Sequence, residues 1–291
     1  MTSRTPYAEV IGDPIGHSKS PLIHRFWLQK LGIKGDYRAT RVSADELAPY
    51  FDSRCKDPLW RGCNLTMPLK EAAVPFAAQR SADVDKIAAS NCLTRGEGNL
   101  LHAWNFDVQG VAVPLARETK ATYSNHVATY VQIIGAGGAA SAAALGAVRA
   151  GFSDIDVFAR DPVKARAFAE LLGTPHGQAQ PLEALGPIRN PTDGADEQRY
   201  SQVIINATPL GMRGRPEVPV DLSAYYPDTI VFDMVYDPLE TGLLRQARHL
   251  GMRTIDGLEM LIEQASHGFR RFFGADAPRQ HDAELRRLLS A

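Results

Sequence analysis

The chain has 291 residues, 44% of them hydrophobic and 22% charged, with a formal net charge of −1. That length accommodates two domains of ordinary size, and the near-neutral balance offers no field for nucleic acid or an anionic membrane surface. No apolar run approaches the roughly 18–20 residues of a membrane span, the N-terminus lacks a signal-peptide core, and Cys55, Cys63 and Cys92 form no CxxC pair, so neither a disulfide framework nor a metal site is indicated and a cytoplasmic setting is expected.

In chain order, Tyr7–Ile11 reads as a strand that breaks at Gly12-Asp13-Pro14. A helix over Pro21–Leu31 follows, with Ser20 as its N-cap; Ser18 has no such duty, and the two hydroxyls form a polar turn able to bind a carboxylate or diol. Asp36–Val42 is a second strand and Ala44–Cys55, started by Ser43, a second helix. Arg61–Thr66 is a third strand, with Asn64 inside it, and Leu69–Gln79 continues as helix. Thr66 and Lys70 therefore sit where a strand hands over to a helix, the edge where open α/β sheets bind ligands. Lys70 also fits as a solvated residue of a first helical turn. Asp83–Ala88 is a brief helix, and Ala89–Thr94 and Asn99–Trp104 form a hairpin around Gly96-Glu97-Gly98, with Asn91 in its first strand. Asp107 opens a helix through about Glu118, as a catalytic acid or as an acid complementing the helix dipole.

Tyr130–Ile134 runs into Gly135-x-Gly137-x-x-Ala140 and then into an alanine-rich helix, Ala139–Ala150. That is the dinucleotide fingerprint in its alanine-ending form. Gly135 permits the turn, Gly137 lets a pyrophosphate approach the backbone, and the helix N-terminus offers free N–H groups. Ile155–Phe158 is the next strand, Asp161–Leu172 a helix, and a short helix lies near Leu182–Leu185. Gln202–Asn206 ends in NATPLGM, Thr229–Met234 ends in VYDPLET, and the helix Glu240–Leu250 precedes the strand Met252–Ile255. The alternation predicts an α/β fold with a doubly wound parallel sheet, the Rossmann dinucleotide-binding arrangement. Helices over Leu258–Phe273 and Pro278–Leu289 remain, and Gln264 lies on a face with Met260 and Gly268.

At the end of the second strand, where NAD enzymes place an acid, this chain has Arg160, with Lys164 one turn on. An arginine there suits a 2′-phosphate and favours NADP. Asp161 pulls toward NAD, unless it caps the following helix.

GDPIGHSKSP, NLTMPLKE, Asn91, the Asn105-x-Asp107 step, GAGGAAS, NATPLGM, MVYDPLETGLL and EMLIEQA, in this order, resemble the shikimate dehydrogenase family over nearly the whole chain. The resemblance implies a substrate-binding α/β domain, residues 1–107 plus 257–291, an NADP-binding Rossmann domain, 108–256, and a cleft between them. It implies reversible reduction of 3-dehydroshikimate to shikimate, on the chorismate route to aromatic amino acids, by a monomer or homodimer. On the matching positions, Ser18 and Ser20 hold the substrate carboxylate, with Tyr236 near that end, and Thr66, Asn91, Asp107 and Gln264 hold hydroxyls. Lys70 and Asp107 are the catalytic pair. Gly135, Ala136, Gly137, Gly138 and Ala139 cradle the pyrophosphate, Arg160 takes the 2′-phosphate, and Thr208, Met234 and Gly257 flank the nicotinamide side. The chemistry is consistent, since one group must accept the hydroxyl proton in oxidation and return it in reduction.

Three places depart from the family pattern: Cys92 stands where threonine is usual, Trp104-Asn105-Phe106-Asp107 replaces Asp-Asn-Thr-Asp, and Ala159-Arg160-Asp161 replaces Asn-Arg-Thr. A pocket stripped of hydrogen-bonding groups changes selectivity, so a paralogue for quinate, an aminoshikimate or a related cyclic polyol acid stays open beside drift behind the pocket. A non-catalytic nucleotide- or metabolite-binding protein is the further alternative.

Overall fold

The computed structural model describes residues 5–122, 129–161, 163, 178–187 and 201–290. The chain divides into two compact units, Met1–Phe106 with Ile262–Ala291, and Asp107–Leu261. Asp107 and residues 257–261 thus fall with the second unit, unlike the division expected from the sequence.

The first unit contains β1 (Tyr7–Gly12), α1 (Ser20–Leu31), β2 (Asp36–Arg41), α2 (Leu47–Cys55), β3 (Trp60–Leu65), α3 (Leu69–Ala72), β4 (Gln79–Arg80), α4 (Ala82–Ile87), β5 (Cys92–Arg95) and β6 (Leu101–Trp104). Its sheet runs β2-β1-β3-β5-β6-β4, with β1 parallel to β2 and β3, and β5 antiparallel to β3 and β6. β1 is buried along its whole length, as expected of a strand flanked by parallel neighbours. Its one charge, Glu9, accepts two bonds from Arg54 at 2.7 and 3.0 Å, one from Tyr50 at 2.8 Å and one from Thr40 at 2.7 Å, which satisfies a group too costly to bury alone.

The second unit contains α5 (Asp107–Thr122), β7 (Thr129–Ile134), α6 (Gly138–Arg149), β8 (Asp154–Ala159), β9 (Ala179–Pro181), β10 (Ser201–Asn206), β11 (Ile230–Asp233), α7 (Gly242–His249) and β12 (Arg253–Ile255). Its sheet is parallel throughout, in the order β12-β11-β10-β7-β8-β9. Counted from β7, this is the 3-2-1-4-5-6 winding whose direction reverses between β7 and β10, the crevice where such sheets bind dinucleotides. α8 (Gly257–Phe273) and α9 (Asp282–Ser290) complete the chain.

Several expectations need correction. The helix expected over Leu69–Gln79 stops at Ala72 and passes into a 3₁₀ turn, Val74–Phe76, because Pro75 lacks a donor and its ring crowds the preceding turn. The two-residue strand β4 and the three-residue β9 carry no periodicity long enough to read. Asn91 lies one residue before β5 rather than inside the hairpin strand. Lys19, not Ser20, occupies the N-cap of α1, and the Ser18 hydroxyl does take a local role by accepting the Ser20 N–H at 3.4 Å. The expected helix Asp161–Leu172, with Lys164, lies outside the described residues except at Asp161 and Val163.

Candidate active site

In the first unit, the ends of β1 and β3 touch closely. A β-carbon at Gly12 would stand 2.4 Å from Thr66 Cγ2 and 3.0 Å from the Met67 carbonyl oxygen, while the Thr66 N–H donates to the Ile11 carbonyl at 3.0 Å. The end of β1 and the Thr66–Met67 step after β3 are thereby packed together. Ser20 is buried, and Ser18, Thr66 and Lys70 are half-buried. The Lys70 carbonyl accepts the Ser90 N–H at 2.8 Å, which ties the segment after β3 to the turn carrying Asn91.

Asn91 is fixed at both ends of its amide. Its Oδ1 accepts the Phe106 backbone N–H at 2.8 Å, and its Nδ2 donates to Gln264 Oε1 at 3.1 Å. Its carbonyl accepts from Asn64 Nδ2 at 3.1 Å, and Asn64 Oδ1 accepts the Tyr37 hydroxyl at 2.5 Å. All of these polar side chains are buried. The structure therefore brings together Asn91 and Gln264, far apart in sequence, and adds Asn64 and Tyr37 behind them. Asn64 was visible in the sequence as an amide inside an apolar strand, the only signal it gave. Under Tyr37 lies His24, wholly buried, its ring stacked at 3.9 Å between centroids. Neither His24 nitrogen has a hydrogen-bond partner among the described residues, and burial pulls its pKa down to about 3.

Two of the three departures from the family pattern share one place. Cys92 and Phe106 are buried in an apolar cluster with Ala8, Val10, Ile15, Tyr37 and Phe272, and Trp104 packs against it. Trp104 stacks on His102 at 3.8 Å, lies under the Arg271 guanidinium at 3.7 Å and donates from its indole to the Thr94 hydroxyl at 2.9 Å. Asn105 donates to the Ala89 carbonyl at 2.9 Å.

In the second unit, Gly135 leaves β7 with φ +121, in the region glycine favours, and a β-carbon there would stand 3.0 Å from Thr208 Cγ2. Gly135 and Thr208 thus face each other across the reversal of winding. Gly137 is the N-cap of the 12-residue α6 and carries no side chain to satisfy the helix donors. A β-carbon on Gly137 would meet nothing within 4 Å. Open space before uncapped helix N–H groups is what a pyrophosphate requires, so the residues fit NADP. Gly138 and Ala139 form the first turn of α6, with Ala136 before it. Met234 and Gly257 also come together: a β-carbon on Gly257 would lie 2.5 Å from the Met234 carbonyl oxygen. Arg160 is exposed just past β8. Asp161 accepts the Val163 N–H at 3.0 Å, a local cap. Asp107, buried, is the first residue of α5, and Tyr236 is half-buried, with burial raising its phenol pKa. Lys164 lies outside the described residues.

The sheet order and the glycine-led helix at its reversal define a Rossmann-type dinucleotide-binding domain, here carried with a second α/β unit. The family model for the shikimate dehydrogenase substrate binding domain matches residues 10–93. A shikimate dehydrogenase (NADP+) of Sphingopyxis alaskensis is 42% identical over 288 residues, 99% of this chain and 98% of that protein. The crystal structure of shikimate 5-dehydrogenase from Thermus thermophilus in complex with NADP(H) and shikimate is 30% identical with a TM-score of 0.80, covering 98% of this chain and 100% of that one. Quinate dehydrogenase from Corynebacterium glutamicum in complex with NAD is 27% identical with a TM-score of 0.83, covering 98% and 99%. The chain belongs to the shikimate dehydrogenase family.

Proposed function

We propose that this protein catalyses the reversible, NADP-dependent interconversion of 3-dehydroshikimate and shikimate. The observation that carries this reading is identity to a shikimate dehydrogenase (NADP+) at 42% across 99% of the chain. Bound NADPH supplies the hydride. The Ser18 and Ser20 hydroxyls hold the substrate carboxylate, with Tyr236 near that end. Thr66, Asn91 and Gln264 hold ring hydroxyls, and the fixed Asn91 amide supports that role by presenting one orientation. Lys70 gives the proton to the nascent alkoxide and takes it back in oxidation, while Asp107 shares the hydroxyl's hydrogen bond and sets its direction. Gly135 to Ala139 receive the pyrophosphate, Arg160 and Lys164 the 2′-phosphate, and Thr208, Met234 and Gly257 the nicotinamide side. Residues 1–107 with 257–291 act as the substrate-binding domain and 108–256 as the NADP-binding domain. The protein works in the cytoplasm as a monomer or homodimer; no described helix is long and apolar enough to cross a membrane.

The packing of Cys92 and Phe106 into an apolar cluster, with Trp104 against it, supports shikimate over a changed substrate, because these side chains are engaged with apolar neighbours. A quinate-type activity with NAD is the second reading, favoured by the likeness to an NAD-bound quinate dehydrogenase. Initial rates for shikimate and quinate, each with NADP+ and NAD+, separate the two. Shikimate with NADP+ is expected to be fastest. Cofactor binding with no turnover of shikimate would move the assignment to another ring acid, and no turnover of any would leave a binding protein.

A further inference from the structure

Asp233 ends β11 directly opposite Asn206, the last residue of β10. It is wholly buried, and its partners are an amide, a backbone N–H and a hydroxyl. Oδ1 accepts from Asn206 Nδ2 at 2.9 Å and from the Val235 N–H at 3.0 Å; Oδ2 accepts from the Thr241 hydroxyl at 2.6 Å. None of these is a cation, so the carboxylate is held out of water without charge compensation, an arrangement that costs stability.

Its effect is on direction. An ionised carboxylate only accepts, so Asn206 must turn its Nδ2 toward Asp233 and its Oδ1 away. That oxygen then accepts the Thr208 N–H at 3.1 Å and the Thr208 hydroxyl at 2.7 Å, while Nδ2 also reaches the Leu210 carbonyl at 3.0 Å. A flipped amide would set donor against donor at Thr208. On the other side, the Val235 N–H bond fixes the turn after Met234, whose own N–H donates to the Asn206 carbonyl at 3.0 Å. One carboxylate thus orients the loops carrying both Thr208 and Met234. We propose that Asp233 is a positioning residue for the cofactor, holding these two residues through the Asn206 amide and the Val235 N–H. This rests on the reading of Thr208 and Met234 as nicotinamide-side residues.

The test is fluorescence titration of NADPH into the full chain, with steady-state kinetics for shikimate alongside. Asp233→Leu, which removes the acceptor, should raise the Kd for NADPH about tenfold or more while KM for shikimate stays within about twofold. Asp233→Asn can still offer one oxygen to Asn206 and should keep Kd within about threefold of the native value. Should Asp233→Leu fail to fold, Asn206→Ala cuts the same link one residue later and carries the same expectation. An unchanged Kd in a folded variant, or equal rises in Kd and KM, overturns the proposal by reducing Asp233 to a general stabiliser. Thr208→Val separates the two levels. If it weakens NADPH while Asp233→Leu and Asn206→Ala do not, only the Asp233 proposal falls; if it has no effect, the reading of the loop falls and takes the proposal with it.

Discussion

The two units build their halves of the chemistry in opposite ways. The first uses side chains that hold one another: Tyr37, Asn64, Asn91 and Gln264 form a buried chain of hydrogen bonds. The second uses the absence of side chains, with Gly135 allowing the turn, Gly137 leaving open space and α6 presenting bare backbone donors. A ring with several hydroxyls is recognised by polar groups fixed in direction, whereas a pyrophosphate is recognised by backbone N–H groups it can approach.

Substitutions sharpen this contrast. Lys70→Ala should lower kcat by about 10²–10⁴ with NADPH affinity near normal, since it removes the proton-transfer group and nothing from the glycine edge; full turnover by the variant would remove Lys70 from the mechanism. Arg160→Ala tests an exposed cation just past β8. It should weaken NADPH about tenfold while leaving NADH nearly unchanged, and equal weakening of both would undo the 2′-phosphate assignment.

A further effect concerns pH, where one buried group in each unit acts in the opposite sense to the other. His24 in the first unit has its pKa pulled from 6.5 to about 3 by burial. Between those values the unfolded chain takes up a proton that the folded chain refuses, so stability is full above about pH 6.5 and falls by about 1.4 kcal/mol per pH unit below it. Asp233 in the second unit is pushed from 3.8 to about 6, chiefly by burial. In its window the folded chain holds the extra proton, and stability rises as pH falls. Whole-protein measurements therefore mix opposing slopes. His24→Phe keeps an aromatic ring against Tyr37 and removes one of them. Urea unfolding at pH 7 and pH 5 should show the native protein losing roughly 2 kcal/mol more than the variant; identical losses would mean that His24 does not titrate as its burial implies.

Much of this was legible from residue patterns. The apolar runs gave most of the strands, and the glycine spacing after Ile134 located the helix terminus that suits a dinucleotide. What the patterns hid was long-range pairing. Asn91 and Gln264 are 173 residues apart, and no local signal says that one amide will donate to the other. Asn206 opened a quoted motif and Asp233 sat inside an expected strand, yet neither was singled out, because their partnership depends on strand register. His24 lay on a helix face as an ordinary polar residue, its isolation produced by Tyr37 and Phe269 packing from other elements. Pro75, by contrast, was a readable break in the expected Leu69–Gln79 helix, overridden there by the apolar pattern around it.

The bond from the Phe106 backbone N–H to Asn91 has a consequence for divergence. Every residue type except proline supplies that N–H, so the anchor is indifferent to which side chain position 106 carries. The side chains at 92, 104 and 106 answer instead to one apolar cluster, where volume lost at one position can be regained at another. Descendants of such a chain can rewrite these letters together, as compensating exchanges, while inheriting the same Asn91 geometry. Spelling at these three positions is therefore a poor guide to the direction in which the Asn91 amide is held.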